Sequence, residues 1–197
     1  MDMPRKPREN VEGGIYHVYA RGNDRRQIYA DSKDCLVYLD ILGRVVRFMK
    51  WRCMAYCLMR NHVHLLIETP DGNLSAGMQQ LHGQYAQRFN ARHGAVGHLF
   101  QGRYGATRIS SDAHLHAAAA YIALNPVEAG LCTVPEEWKW SSFRAASGAS
   151  VPNWVEAHAL LDRFELGSRS TAESLERLVK AARCVKGLTP TAGRQRT

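Results

Sequence analysis

Residues 58–68 read LMRNHVHLLIE, and this stretch decides the fold. His62 and His64 stand two apart inside an otherwise apolar run. Along an extended strand, residues i and i+2 leave the same side of the sheet, so both imidazoles occupy one face while Val63, Leu65 and Ile67 enter the other. Two histidines on one face of an apolar strand fit a divalent metal held by two imidazole nitrogens and completed from elsewhere in the fold. They fit equally well two hydrogen-bonded histidines on a half-exposed strand, and the surrounding chain has to separate the two.

Immediately upstream, residues 51–58 read as another strand. Met59, Arg60 and Asn61 leave room only for a tight turn, so the two strands pair as an antiparallel hairpin. Downstream, PDGN at 70–73 breaks the strand, and Asn73 is placed to cap a helix whose stripe is Leu74, Met78, Leu81, Tyr85 and Phe89. Gly94 ends that helix, and the glycine-bearing stretch 97–109, GHLFQGRYGATRI, supplies a loop and a fourth strand from about Tyr104. Towards the N-terminus, IYHVYA at 15–20 alternates as a first strand. Asp31 and Asp34 start a helix with favourable charge placement, and Cys35, Leu39, Leu42, Val46 and Met49 mark its apolar face. Ser111 caps a third helix that ends at Asn125, because the residue before Pro126 is biased away from helical geometry.

The order strand, helix, strand, strand, helix, strand, helix predicts an α+β fold. It is the ferredoxin-like arrangement, a four-stranded antiparallel sheet with two crossover helices on one face and the third helix beside the sheet. The expected organisation is a basic N-terminal arm at 1–14, a main domain at 15–148, and a C-terminal helical extension at 149–197 with a helix at 172–184 and a disordered tail.

Lys and Arg outnumber Asp and Glu by 26 to 18, which favours a polyanionic partner. The placement is sharper than the total. Residues 72–111 contain no Asp or Glu but hold Arg88, Arg92, Arg103 and Arg108. Candidate nucleic-acid contacts are therefore Gln84, Arg88 and Arg92 on the second helix, Arg103 and Arg108 beyond it, Arg21 and Asn23 in the turn after the first strand, Arg5, Lys6 and Arg8 in the arm, and His114. No apolar run reaches the roughly 20 residues of a membrane span, and no apolar stretch follows the basic N-terminus, so the expected location is cytoplasmic. The five cysteines lack CxxC spacing and read as reduced and mostly buried.

In a ferredoxin-like sheet the strand bearing His62 and His64 is central, with one face under the crossover helices and the other free. If the third helix lies across the free face, Tyr121 and Asn125, one turn apart on one side, both point at the histidines. That supplies a nucleophile and a third ligand. A tyrosine hydroxyl titrates near pH 10 and is a poor nucleophile near neutrality, so a metal beside a phosphate would neutralise developing charge and orient the ester for in-line attack.

These residues carry a resemblance. HVH after an apolar strand, the single tyrosine of YIALNPVEAGL, the early HVYARGN, the GHLFQGRY loop and the later WKWSS together resemble the single-tyrosine HUH transposases, and most of all their branch associated with repetitive extragenic palindromes. The likeness spans roughly residues 15–148, with a looser likeness through WVEAHALLDRF. It implies an enzyme that cuts single-stranded DNA at a site located by a nearby imperfect hairpin, the tyrosine forming a 5′-phosphotyrosine link and releasing a free 3′-hydroxyl. Carried onto this chain, Tyr121 is the nucleophile, and His62 and His64 bind Mg²⁺ or Mn²⁺. Asn125 stands where transposases of the related insertion-sequence branch have glutamine. With a single tyrosine on this helix, two strand cuts need sequential action or two protein molecules, so a monomer and a homodimer both remain open.

Two competitors stand beside this. Tyr104 is a rival nucleophile, although no ligand partner lies at helical spacing from it. A non-catalytic DNA- or RNA-binding module with the same four-stranded layout is the other; it leaves His62 and His64 unexplained and lacks the aromatic platform such modules use.

Overall fold

The computed structural model describes residues 10–147 and 149–156. Strands β1 (Gly14–Arg21), β2 (Arg52–Leu58), β3 (His62–Thr69) and β4 (Gly105–Arg108) form one sheet in the order β2-β3-β1-β4, antiparallel throughout. Helix α1 (Ser32–Phe48) connects β1 to β2, and α2 (Leu74–His93) connects β3 to β4. This is the ferredoxin-like order, with β1 and β3 central. Helix α3 (Asp112–Glu128) follows β4 and packs on β2 and β3.

Alternation along the central strands makes two different faces. Tyr16, Val18 and Ala20 of β1 lie opposite Ile67, Leu65 and Val63 of β3, and all six are buried in the apolar layer beneath the crossover helices. On α1, Asp31 caps the helix by accepting from the amides of Lys33 and Asp34. The buried face of α1 is Cys35, Tyr38, Ile41, Leu42, Val45 and Val46, whereas Leu39 and Met49 are only partly buried. The expected stripe was drawn too narrowly, because Tyr38 packs edge-on against both Tyr29 and Tyr85 and draws the helix round. The α2 stripe is buried as read.

Asn73 precedes α2, but its side chain does not cap the helix. Its Oδ1 accepts from Trp51 Nε1 at 2.6 Å and its Nδ2 donates to the Met49 carbonyl at 3.0 Å, which ties the end of α1 to the start of α2. Gly77 makes this possible, since a Cβ there would meet the Trp51 ring at 2.1 Å. Helix α3 does not stop at Asn125. It runs through Pro126 to Glu128, because proline removes one amide donor while the Ala129 amide resumes the ladder at the Asn125 carbonyl, 3.0 Å away.

The segment after α3 covers the outer edge of β2. The Leu58 amide donates to the Trp140 carbonyl at 2.9 Å, Trp138 Nε1 donates to the Leu58 carbonyl at 2.9 Å, and the Tyr56 amide donates to Ser142 Oγ at 3.0 Å. The WKWSS motif thus closes an otherwise open sheet edge. Val155 continues the cover as a parallel bridge to Cys53, and Trp154 rests against Gly43, where a Cβ would meet its indole at 2.4 Å. Residues 154–156 therefore pack on the main domain. The expected helix at 172–184 and the tail lie outside the described residues, as do Arg5, Lys6 and Arg8. Among the described residues, no helix is long and apolar enough to cross a membrane.

Candidate active site

The face of the sheet turned away from the crossover helices carries His62 and His64. Register sets Arg21 opposite His62 and Tyr19 opposite His64, with His17 one pair further along, opposite Leu66. Directly opposed residues share a face, so three β1 side chains stand beside the two β3 histidines. Across the other ladder, Gly105 lies opposite Tyr19. A Cβ at 105 would meet the Tyr19 ring at 2.2 Å, so this glycine lets the ring lie over β4.

Helix α3 brings the remaining parts. Ser111 Oγ caps it by accepting from the His114 amide at 3.2 Å. Tyr121 and Asn125 reach the histidines from one side of this helix. The Tyr121 ring centroid is 5.3 Å from that of His64, edge-on, and 5.6 Å from that of His17. Tyr121 is 41% exposed, unusual for a large side chain beside buried histidines. Asn125 is buried; its Nδ2 donates to the Tyr121 carbonyl at 3.3 Å, which turns Oδ1 towards His62 Nε2, 3.4 Å away. One side chain thus connects the tyrosine turn of α3 to the histidine strand.

The histidines are kept neutral. Burial pushes His64 down to about 3, with smaller contributions from His62 and His17. Burial also lowers His62, opposed by the Asn125 hydrogen bond and reinforced by Arg21. His17 is lowered by burial and by His114. Neutral imidazoles have the lone pairs a metal needs. His64 Nδ1 is 3.0 Å from His17 Nε2, while His64 Nε2 is buried with no hydrogen-bond partner. An orphaned nitrogen of this kind, in a ring 5.0 Å from that of His62, whose Nε2 in turn approaches an amide oxygen, fits a divalent cation. Among the described residues no group of three His, Cys, Asp or Glu is arranged to hold a metal. The oxygen that approaches the histidine pair is the amide Oδ1 of Asn125, 3.4 Å from His62 Nε2.

The site opens on both sides of Tyr121. A cavity of about 480 Å³ is lined by Tyr19, Arg21, His62, His64, Gln101 and Arg103 among others, and one of about 430 Å³ by His17, Thr107, His114 and Ala117 among others. A larger cavity, about 850 Å³, lies between α2 and the 97–104 loop and shares only loop residues with the site.

Of the expected residues, His62, His64, Tyr121, Asn125, Arg21, Arg103 and His114 come together. Arg21 is held by Gln101 Oε1 through Nε at 3.2 Å and Nη2 at 3.0 Å. Asn23 lies in the larger cavity instead. Gln84 and Arg88 are on α2, across the sheet from Tyr121. Arg108 sits opposite Tyr16, so strand alternation aims it away from the histidine face. Arg92 needs reassignment as a clamp: its guanidinium is engaged by Asp31 and Asp34, binding the end of α2 to the start of α1. Tyr104 is buried, with its hydroxyl 3.0 Å from Ser75 Oγ, and lies away from the histidines. The tyrosine that does approach them besides Tyr121 is Tyr19, 46% exposed. His17 and Tyr19 were missed. Their two-residue spacing in IYHVYA was a usable signal, but only the β1–β3 register shows what they face.

The family described as "Transposase IS200 like" matches residues 10–125. The chain belongs to the IS200-like transposases. No curated protein is similar enough to count as a match. Among solved structures, a REP-associated tyrosine transposase bound to a REP hairpin is similar to this transposase with a TM-score of 0.62 at 21% identity, covering 85% of this chain and 99% of that one. A transposase described from Deinococcus radiodurans gives 0.43 at 22% identity, over 58% of this chain and 92% of that one. The first likeness establishes the shared fold.

Proposed function

We propose that this transposase is a metal-dependent single-stranded DNA nicking and joining enzyme with Tyr121 as its nucleophile. The observation that carries the proposal is the exposed Tyr121 ring beside His64, with Asn125 on the same helix reaching His62. The Tyr121 hydroxyl attacks the scissile phosphorus and gives up its proton, and a P–O bond forms. The bond to the 3′-oxygen breaks, and that oxygen takes a proton to leave as a free 3′-hydroxyl. The DNA stays on the enzyme through a 5′-phosphotyrosine link, which a 3′-hydroxyl can later attack to rejoin the strand. His62, His64 and Asn125 would hold Mg²⁺ or Mn²⁺, which when bound neutralises charge developing on the phosphate. Arg21 and Arg103 line the cavity beside Tyr121 and suit the flanking phosphates. The openings on either side of Tyr121 suit a single strand running past it.

The substrate is taken to be single-stranded DNA marked by a palindromic hairpin, as in the REP-associated branch. The support is the shared fold with a transposase solved on a REP hairpin. The test is incubation with hairpin-bearing oligonucleotides and Mn²⁺, followed by denaturing electrophoresis. A covalent adduct is expected from the parent protein and from Tyr19→Phe, and none from Tyr121→Phe or after chelation. Adduct in Tyr121→Phe overturns the nucleophile. Hairpin binding with no adduct under any condition favours the non-catalytic binding module.

A further inference from the structure

The proposed metal centre uses two histidines, yet a third, His17, lies directly against one of them. His17 is neither a donor in that set nor on the helix that carries the nucleophile, and it spends its Nε2 on His64 Nδ1 at 3.0 Å. The two rings lie 5.1 Å apart at 30°. His17 also meets the Tyr121 ring at 65°, so it is packed between the ligand strand and the nucleophile helix.

Proton counting gives this contact a meaning. A hydrogen bond between two neutral imidazoles needs one donor and one acceptor. If His17 donates, His64 Nδ1 accepts, and the proton of His64 sits on Nε2, a buried N–H with nothing to receive it. That arrangement excludes a cation and leaves a buried donor unsatisfied. If His64 donates from Nδ1, Nε2 carries a free lone pair, in a ring 5.0 Å from that of His62. The lone pair is then also unpartnered, but a cation satisfies it.

We propose that His17 is a positioning residue that accepts the Nδ1 proton of His64, fixing the tautomer and ring orientation in which Nε2 can bind the metal. His17 accordingly carries its own proton on Nδ1. Metal-bound histidines commonly give their second N–H to an oxygen acceptor, whose loss typically weakens metal binding by about 10- to 100-fold. Here an imidazole in the neighbouring strand takes that place. The inference rests on the metal centre proposed above.

The test uses the full chain. Long-range ¹H–¹⁵N imidazole spectra of the metal-free protein near neutral pH are expected to show His64 protonated on Nδ1 and bare on Nε2. The opposite tautomer in the parent overturns the proposal without any variant. Mn²⁺ binding is then followed by the loss of the free-ion electron spin resonance signal. His17→Leu, which cannot accept, is expected to bind Mn²⁺ about 10- to 100-fold more weakly and to lose the pure tautomer. His17→Gln, whose Oε1 can accept, is expected to stay near the parent. Parent-like binding by His17→Leu overturns the role of His17 alone. A parent protein that binds no Mn²⁺ overturns the metal reading itself, and this inference with it. Equal loss in the leucine and glutamine variants shows a packing role and also overturns it.

Discussion

His64 and Leu65 are neighbours on one strand, 5% and 0% exposed, yet they belong to different parts of the molecule. Leu65 faces Val18 and the apolar layer under the crossover helices, where close packing is the whole function. His64 faces the opposite way, into a layer of histidines, tyrosines and an amide, where burial strips charge from the imidazoles and leaves a nitrogen without a partner. Strand alternation thus lets two central strands hold the fold on one side and gather histidines and tyrosines on the other. Burial alone does not tell the two faces apart here, nor does an unsatisfied polar atom, since the Tyr38 hydroxyl and His82 Nε2 under the crossover helices lack partners too. What sets the His64 face apart is that its unpartnered nitrogen stands beside other imidazoles and an exposed tyrosine.

Substitutions on the two faces should separate cleanly. The largest effect is expected for His64→Ala, with DNA cleavage falling by more than about 100-fold, beyond what loss of a supporting partner usually costs. Hairpin affinity and the circular dichroism spectrum should persist; loss of the fold instead would make His64 a core residue. Leu65→Ala should do the reverse, costing about 2–5 kcal/mol in denaturant unfolding. Its cleavage rate per folded molecule should match the parent under conditions where it stays native. Equal damage to cleavage and stability in both variants would erase the distinction between the faces.

Acid should expose a smaller difference. His64 and His82, on opposite sides of the sheet, are both held near 3 by burial against an ordinary 6.5. Below pH 6.5 the unfolded chain takes up protons that the folded chain refuses. Stability is therefore full above 6.5 and falls as pH drops towards 3, by up to about 1.4 kcal/mol per pH unit for each histidine. His82→Gln, which cannot titrate, should flatten this slope in urea unfolding series; a parent profile that is already flat would contradict the burial of both rings. The smallest effect is expected for Arg92→Ala. Losing the clamp to Asp31 and Asp34 should lower Tm modestly and leave hairpin affinity and its salt dependence unchanged. A shallower salt slope would return Arg92 to the DNA contacts.

The two faces were not equally legible in the sequence. The apolar face could be read because periodicity is local: the hydrophobic spacing of α2 and the alternation of β3 state what is buried. That Tyr121 and Asn125 would meet the HVH pair could be read because each lies at a spacing with a chemical meaning. What escaped depends on long-range geometry. The neighbourhood of His17 and Tyr19 is fixed by the β1–β3 register, which no single segment encodes. Arg92 looked like a DNA contact because its partners Asp31 and Asp34 lie some 60 residues away in the chain. Asn73 carried the right residue type for a cap, but Trp51 took its oxygen. The helix end at Asn125 was misplaced because α3 absorbs one missing donor at Pro126 and continues.

The most direct measurement is the site of covalent attachment. After reaction with a hairpin oligonucleotide and Mn²⁺, the protein is digested with trypsin and nuclease and the modified peptide is sequenced by mass spectrometry. Cleavage after Arg108 and Lys139 releases residues 109–139, whose sole tyrosine is Tyr121. The expected result is a 5′-linked nucleotide on that peptide, at Tyr121. Attachment instead to the peptide of residues 9–21, which carries Tyr16 and Tyr19, would contradict the assignment of α3 as the helix that attacks DNA.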